Sequence, residues 1–371
     1  MKIAILTLPL HTNYGGILQA YALQTVLERM GHTVEHLQPK VEYPPLHPAW
    51  QMPMVWVKRL MRKYIGGDNK LPVFEDPRKW VRKNTDAFIQ RYIRSRQIED
   101  MGWNSSIAKK YDVIIVGSDQ VWRPCMSGYH TERFFLDFVE ELSIRKIAYS
   151  ASFGVDENEF TDEQIDNIKP LTSKFEMISV RELSGIELAR NLFGVTAECT
   201  LDPTMLLHAE DYDEISAEGQ SQNGELMLYV LDGTLEADAF INRVSSTYKL
   251  SPFRANSKID FFYKKKKLSE CKQPPVEDWL RSFRDAEFVV TDSFHACVFS
   301  ILFKKPFLCI GNDFRGMARF HSLLGQFGLM DRLVSLNDPK IPEKEIDWDR
   351  VYEILEAKRA ESMDFLRRAL S

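Results

Sequence analysis

Two doubly wound α/β units facing a cleft are the fold class this sequence predicts, on three observations. Near-continuous apolar runs of strand length recur along the chain. Helix-length patterns separate them, and one acidic, polar stretch interrupts the alternation near the middle. Strands that are apolar throughout are covered on both faces, which calls for mostly parallel sheets with helices on each side. The 371 residues suffice for two cores, and 44% hydrophobic with 27% charged residues is a globular composition.

In order, the first half carries strand-like runs at Lys2–Leu8, Thr33–Leu37, Tyr111–Val116, Arg145–Ser150, Phe175–Val180 and Ala197–Leu201. A helix pattern from Ile17 to Met30 stops at Gly31, a natural C-terminal cap, and another runs from about Ser184 to Leu192 before Gly194. His208–Gly224 is acidic and short of apolar residues, as an interdomain linker would be. Beyond it, strand patterns at Glu225–Leu231, Leu250–Phe253, Phe288–Thr291 and Phe307–Ile310 alternate with helix patterns around Glu236–Tyr248, around Val276–Ser282 and after Ser293. Trp348–Leu370 reads as one long amphipathic helix. The expected division is therefore 1–210 and 220–345 as two Rossmann-like units, with helix 346–371 returning to the first. An insertion at about 43–100 belongs to the first unit.

The amino terminus enters a strand directly and lacks a signal-peptide core, and no apolar run is long enough to span a bilayer. Five scattered cysteines, never spaced as CxxC, fit reduced thiols and no zinc site. A cytoplasmic location is the expectation. The net charge of −5 argues against a nucleic-acid partner. Charge is unevenly spread, however: residues 52–96 hold twelve Lys/Arg and four Asp/Glu, +8, leaving −13 for the rest. Residues 52–64 (MPMVWVKRLMRKY) form a basic, aromatic helix pattern suited to the inner face of a membrane, or to packing its apolar face on the first unit.

Four loops fall at strand ends, where such sheets place ligands. Asn13, Tyr14, Gly15 and Gly16 precede the first helix and let backbone approach a ligand closely. Gly117, Ser118, Asp119 and Gln120 follow the strongest strand and suit sugar hydroxyls, with Ser118 or Asp119 as a helix cap the alternative. Arg181 emerges at the end of a buried strand, so it needs an anionic ligand or an internal carboxylate such as Glu182. Finally, Thr291-Asp292-Ser293-Phe294-His295 opens a helix, with Ser293 placed to cap it and His295 in its first turn. An anion bound at that helix start would favour the charged imidazole and so make His295 an acid.

Together NYGG with its helix (Asn13–Leu27), DVIIVGSDQVW (Asp112–Trp122), SVRE (Ser179–Glu182), LDPTMLL (Leu201–Leu207) and VVTDSFHACVFSILFKKPFLCIG (Val289–Gly311) resemble the polysaccharide pyruvyl transferases over nearly the whole chain. The resemblance implies a GT-B-like fold. It also implies transfer of an enolpyruvyl unit from phosphoenolpyruvate to two hydroxyls of a sugar, free or lipid-linked, with no metal or organic cofactor. By the same resemblance Arg181 binds the donor, His295 is the general acid, and Phe294 stands where a bulky apolar residue precedes it. The chain departs at Ser293, where several members carry arginine. Arg315 and Arg319, or Lys304 and Lys305, are the candidates to supply the missing cation. Two other readings stay open: a nucleotide-sugar glycosyltransferase of the same shape, and a non-catalytic glycan-binding relative.

Overall fold

A computed structural model describes residues 1–40, 49–65, 74, 76–99, 102–139, 143–257, 270–311 and 316–371. Two parallel sheets organise them. The first contains β1 (Lys2–Leu6), β2 (Thr33–Pro39), β3 (Ser95–Ile98), β4 (Val113–Val116), β5 (Arg145–Ala151), β6 (Met177–Val180) and β7 (Glu198–Cys199), in the order β3-β2-β1-β4-β5-β6-β7. The second contains β8 (Leu226–Tyr229), β9 (Pro252–Arg254), β10 (Phe288–Thr291), β11 (Phe307–Ile310) and β12 (Leu333–Val334), in the order β12-β11-β10-β8-β9. Strand order reverses between β1 and β4 in one sheet and between β8 and β10 in the other. Each reversal opens a crevice at the carboxyl ends. The NYGG, GSDQ and TDSFH segments all follow strands at these two points.

Every residue of β4, β8, β10 and β11 is buried, as apolar strands between helices require. Two edge strands escape the sequence pattern: β3 is polar (SRQI) and β12 is two residues long. The expected linker carries a helix, Ala209–Ala217, because Tyr212 and Ile215 lie three apart and bury one face. A central apolar cluster joins residues of the first sheet and its helices (Ile3, Leu18, Tyr149) to residues of the second (Trp279, Val289, Phe299). The outer face of each sheet has a cluster of its own.

The C-terminal helix, Trp348–Leu370, lies against the first sheet. Arg359 donates to the carbonyls of Met205 and Leu207 at 2.8 and 3.2 Å, and Arg145 donates to that of Ala369 at 3.0 Å. The helix over Met52–Tyr64 behaves otherwise: none of its residues is fully buried, and Met54, Val57, Met61 and Tyr64 are exposed while Val55, Trp56 and Leu60 are partly covered. Among the described residues no helix is long and apolar enough to cross a membrane.

Candidate active site

The first helix runs Tyr14–Arg29, with Asn13 at its N-cap, so it begins three residues before the expected Ile17. Its first turn is anchored in the second half of the chain. The Tyr14 hydroxyl donates to the Pro274 carbonyl at 2.8 Å, and its ring stacks on Trp279 with centroids 5.4 Å apart. The paired glycines answer to a neighbouring side chain. A Cβ on Gly15 would stand 2.1 Å from His295 Nδ1, so only glycine lets the imidazole lie across this helix start. His295 reaches it from the first turn of the helix Phe294–Leu302, which follows β10 directly. Thr291 and Asp292 brace that turn. Thr291 donates to the Tyr229 carbonyl at 2.6 Å, and Asp292 accepts from the amides of Leu231 and Asp232 at 2.8 Å each.

On its other nitrogen, His295 faces Asp202, with Nε2 and Oδ2 3.4 Å apart. Arg181 Nη1 donates to the same oxygen at 2.9 Å, and the Ser118 hydroxyl reaches it at 3.3 Å. The second Asp202 oxygen accepts from the Thr204 amide at 3.0 Å and hydroxyl at 2.6 Å. Burial alone would raise the pKa of this carboxyl. His295 and Arg181 outweigh that and hold it well below the usual carboxylate range. Arg181 Nη2 lies 3.5 Å from Asp119 and Nε 3.7 Å from Glu182, while its guanidinium sits 4.5 Å from the centre of the Phe294 ring. Burial pulls its pKa down, and the three carboxylates more than restore it. The Ser152 hydroxyl donates to Glu182. Arg319 adds a second buried guanidinium 5.9 Å from the Phe294 ring, its pKa lowered to about 10 by burial and then by Arg181.

His295, Phe294, Arg181, Arg319, Ser118 and Asp119 are thus gathered at one junction between the sheets. Ser118 and Asp119 are buried, and their bonds run inward, with Asp119 Oδ1 accepting from the Gln120 amide at 2.9 Å. Gln120 accepts from Arg123 at 3.1 Å. No helix follows this loop until Pro124, so neither Ser118 nor Asp119 is a cap. Gly117 follows β4, its amide bonded to the Leu6 carbonyl at 2.9 Å. Gly16 lies beside Asp119, and Asn13 is exposed at the rim. Ser293 occupies the N-cap position, but its side chain makes no capping bond, because the turn closes through its own amide onto Thr291 Oγ1 at 3.0 Å. Lys304 and Lys305 do not reach the site. They lie beyond the far end of the helix, one over the Tyr352 ring at 4.1 Å and the other bonded to the Arg284 carbonyl at 2.8 Å. Arg315 lies outside the described residues.

Asp202, on which the cluster converges, has no assigned role in the sequence reading. Its signal was present in LDPTMLL, where an aspartate ahead of Pro-Thr marks a capped turn at the end of a strand. A small cavity of about 10 Å³ lies between Arg181, Asp202, Phe294 and Phe327, room for roughly one water. An imidazole facing a carboxylate and a guanidinium paired with three carboxylates therefore stand together between the two sheets. Among the described residues no group of three or more His, Cys, Asp or Glu is placed to hold a metal ion.

No curated protein matches the chain by sequence. UDP-GlcNAc 2-epimerase from Neisseria meningitidis bound to UDP-GlcNAc superposes with a TM-score of 0.52 at 8% identity, over 100% of this chain and 99% of that one. UDP-GlcNAc 2-epimerase from Methanocaldococcus jannaschii gives 0.47 at 13% identity, over 96% and 92%. MurG from Acinetobacter baumannii gives 0.42 at 11%, over 99% and 94%. At such identities the likeness speaks for the fold alone, two Rossmann-like sheets in a GT-B-like arrangement. The family model for polysaccharide pyruvyl transferase matches residues 13–314, a span that opens at Asn13 and takes in Arg181, Asp202 and His295. By that match over most of its length, the chain belongs to the polysaccharide pyruvyl transferase family.

Proposed function

We propose that the chain moves the enolpyruvyl unit of phosphoenolpyruvate onto two hydroxyls of one sugar, in a surface glycan or its lipid-linked precursor, giving a pyruvate ketal. The observation that carries this reading is the meeting of His295 and Arg181, from opposite sheets, on one oxygen of Asp202. His295 delivers a proton to C3 of the enol, and C2 gains cationic character that a sugar hydroxyl attacks. Arg181, Arg319, Phe294, the amides around Ser293 and, from outside the described residues, Arg315 receive the donor. Phosphate leaves, and the second hydroxyl closes the ketal. Of the two hydroxyl protons given up, one balances the new methyl group and the other leaves with phosphate. The transfer thus balances without a redox partner, and no cofactor is invoked. General acid catalysis by such a group contributes on the order of 10²–10⁴-fold.

The acceptor approaches past Asn13, the exposed residue of its loop, over a floor of Tyr14, Gly15 and Gly16. The Gly117, Ser118, Asp119 and Gln120 loop supports the site from beneath, since Ser118 bonds to Asp202 and Asp119 pairs with Arg181.

Phosphate release from phosphoenolpyruvate, measured across a panel of simple and lipid-linked sugars, tests the reading. Wild-type protein releases phosphate with at least one acceptor, and His295→Ala loses at least about two decades of turnover while donor binding falls less. Near-normal turnover in that variant removes His295 from the mechanism. Thermal protection by UDP- or GDP-sugars but not by phosphoenolpyruvate replaces the reading with nucleotide-sugar transfer. Sugar binding without phosphate release from any donor leaves a glycan-binding protein.

A further inference from the structure

The helix Met52–Tyr64 leaves one row of its apolar residues in water. Met54, Val57, Met61 and Tyr64 recur at steps of three and four and so share one face, exposed by 60, 50, 56 and 75%. Trp50 just before the helix and Ile65 just after it are 77 and 83% exposed. Scattered exposed apolar side chains need no explanation, but a contiguous row of six marks an interaction surface. This row is not the helix's packing side: Trp56, off the row, meets Phe74 edge-on at 5.5 Å. Arg59 is half-withdrawn near Asp76, its pKa lowered by burial.

The surroundings of the row specify what covers it. Lys58 and Arg62, both exposed, follow Val57 and Met61 directly and border the row along its length. Residues 49–65 hold four Lys/Arg and no carboxylate, in a chain whose net charge is −5. A second copy seated on this face would press like charges together, since a two-fold contact pairs each patch with itself. A plane of lipid phosphates over acyl chains instead matches a row of apolar side chains edged by cations. Trp50 and Tyr64 at the two ends suit the headgroup level, where amphipathic rings settle. Thirteen residues make a helix of roughly 20 Å, too short to span and long enough to lie flat.

We propose that this helix seats the chain on an anionic membrane surface, parallel to its plane, with the Met54–Ile65 row in the headgroup–acyl boundary and Lys58 and Arg62 among the lipid phosphates. Such seating would bring the cleft to lipid-linked acceptors, but it rests on the helix and not on the transfer chemistry.

The test is vesicle flotation of the full chain without donor or acceptor, comparing phosphatidylcholine vesicles with vesicles that also contain phosphatidylglycerol. Partition onto the anionic vesicles is at least about tenfold stronger, weakens with salt and shifts tryptophan emission to the blue. Met54→Glu/Met61→Glu and Lys58→Glu/Arg62→Glu each cut that partition at least about tenfold, with the melting temperature unchanged as a check on folding. Equal partition onto both vesicles overturns the proposal, as does unchanged binding by both variants. Self-association in sedimentation that the same variants abolish overturns it in favour of a second copy. Phosphate release onto a water-soluble sugar is read separately, so failure here and failure of the transfer reading are told apart.

Discussion

Asp202 Oδ2 serves Arg181 at 2.9 Å and His295 at 3.4 Å, in a position closed to water. Removing its charge leaves a buried guanidinium short of a partner and the imidazole without its facing anion. Breaking a buried ion pair from one side costs about 3–5 kcal/mol. Asp202→Asn is therefore expected to lose stability on that scale, read by denaturant unfolding at neutral pH, and to lose turnover with it. The pH dependence has a definite sign. The native carboxyl binds its proton more weakly than the unfolded one, so its contribution is complete above the ordinary aspartate value of about 3.9 and fades as pH falls toward its lower native value. The gap between wild type and variant should hold from pH 7 to about 5 and close only in stronger acid. Arg181 and His295 were legible in the sequence because a charge at a strand end and a histidine at a helix start are local signals. Asp202 was not, because its significance lies in whom it meets across the junction. Gly15 was noticed for backbone freedom, whereas what demands it is the ring of a residue 280 positions later.

At the scale of elements, β2 carries a histidine that the site does not use. His36 is fully buried, and burial lowers its pKa to about 4. Between an unfolded value near 6.5 and that native value the unfolded chain takes up a proton that the folded one refuses, so stability falls as pH falls. The expected loss is about 2–3 kcal/mol between pH 7 and 4.5. His36→Leu should remove that part of the slope, as denaturant titrations at the two pH values would register. If both proteins lose the same amount, the assignment to His36 fails. Elements with strong, long patterns were legible to the residue: β10, β11 and the Trp348–Leu370 helix coincide with their sequence expectations. Among the misses are the helices Pro77–Tyr92, Asp162–Thr172 and Ala318–Gln326, the edge strands β3 and β12, where a half-covered edge needs no apolar run, and the start of the first helix, where NYGG reads as a loop until its packing is known.

For the whole molecule, the central apolar cluster sets the behaviour, because it is built from both halves at once. Tyr14 on Trp279 and Tyr212 on Phe299 lie within it. Polar clasps reinforce the join: the Leu183 amide donates to Ser322 at 3.1 Å, and Gly316 comes so near Gly154 that a Cβ there would stand 2.1 Å from its carbonyl oxygen. Separating the halves completely would bare that cluster to water, at roughly 25 cal/mol per Å² of apolar surface. The full chain is thus expected to unfold in one transition, with calorimetric and van't Hoff enthalpies in agreement. Two resolved transitions would show that the halves hold their cores independently.

Gly15 carries one more consequence, for reading other chains of this kind. A methyl group there and an imidazole at position 295 claim the same volume, so the two cannot coexist in this geometry. Whether a related sequence keeps hydrogen at the first residue after its Asn-Tyr start is therefore a sorting rule. Where it does, the histidine can stand against the helix, and where it does not, the imidazole must lie elsewhere.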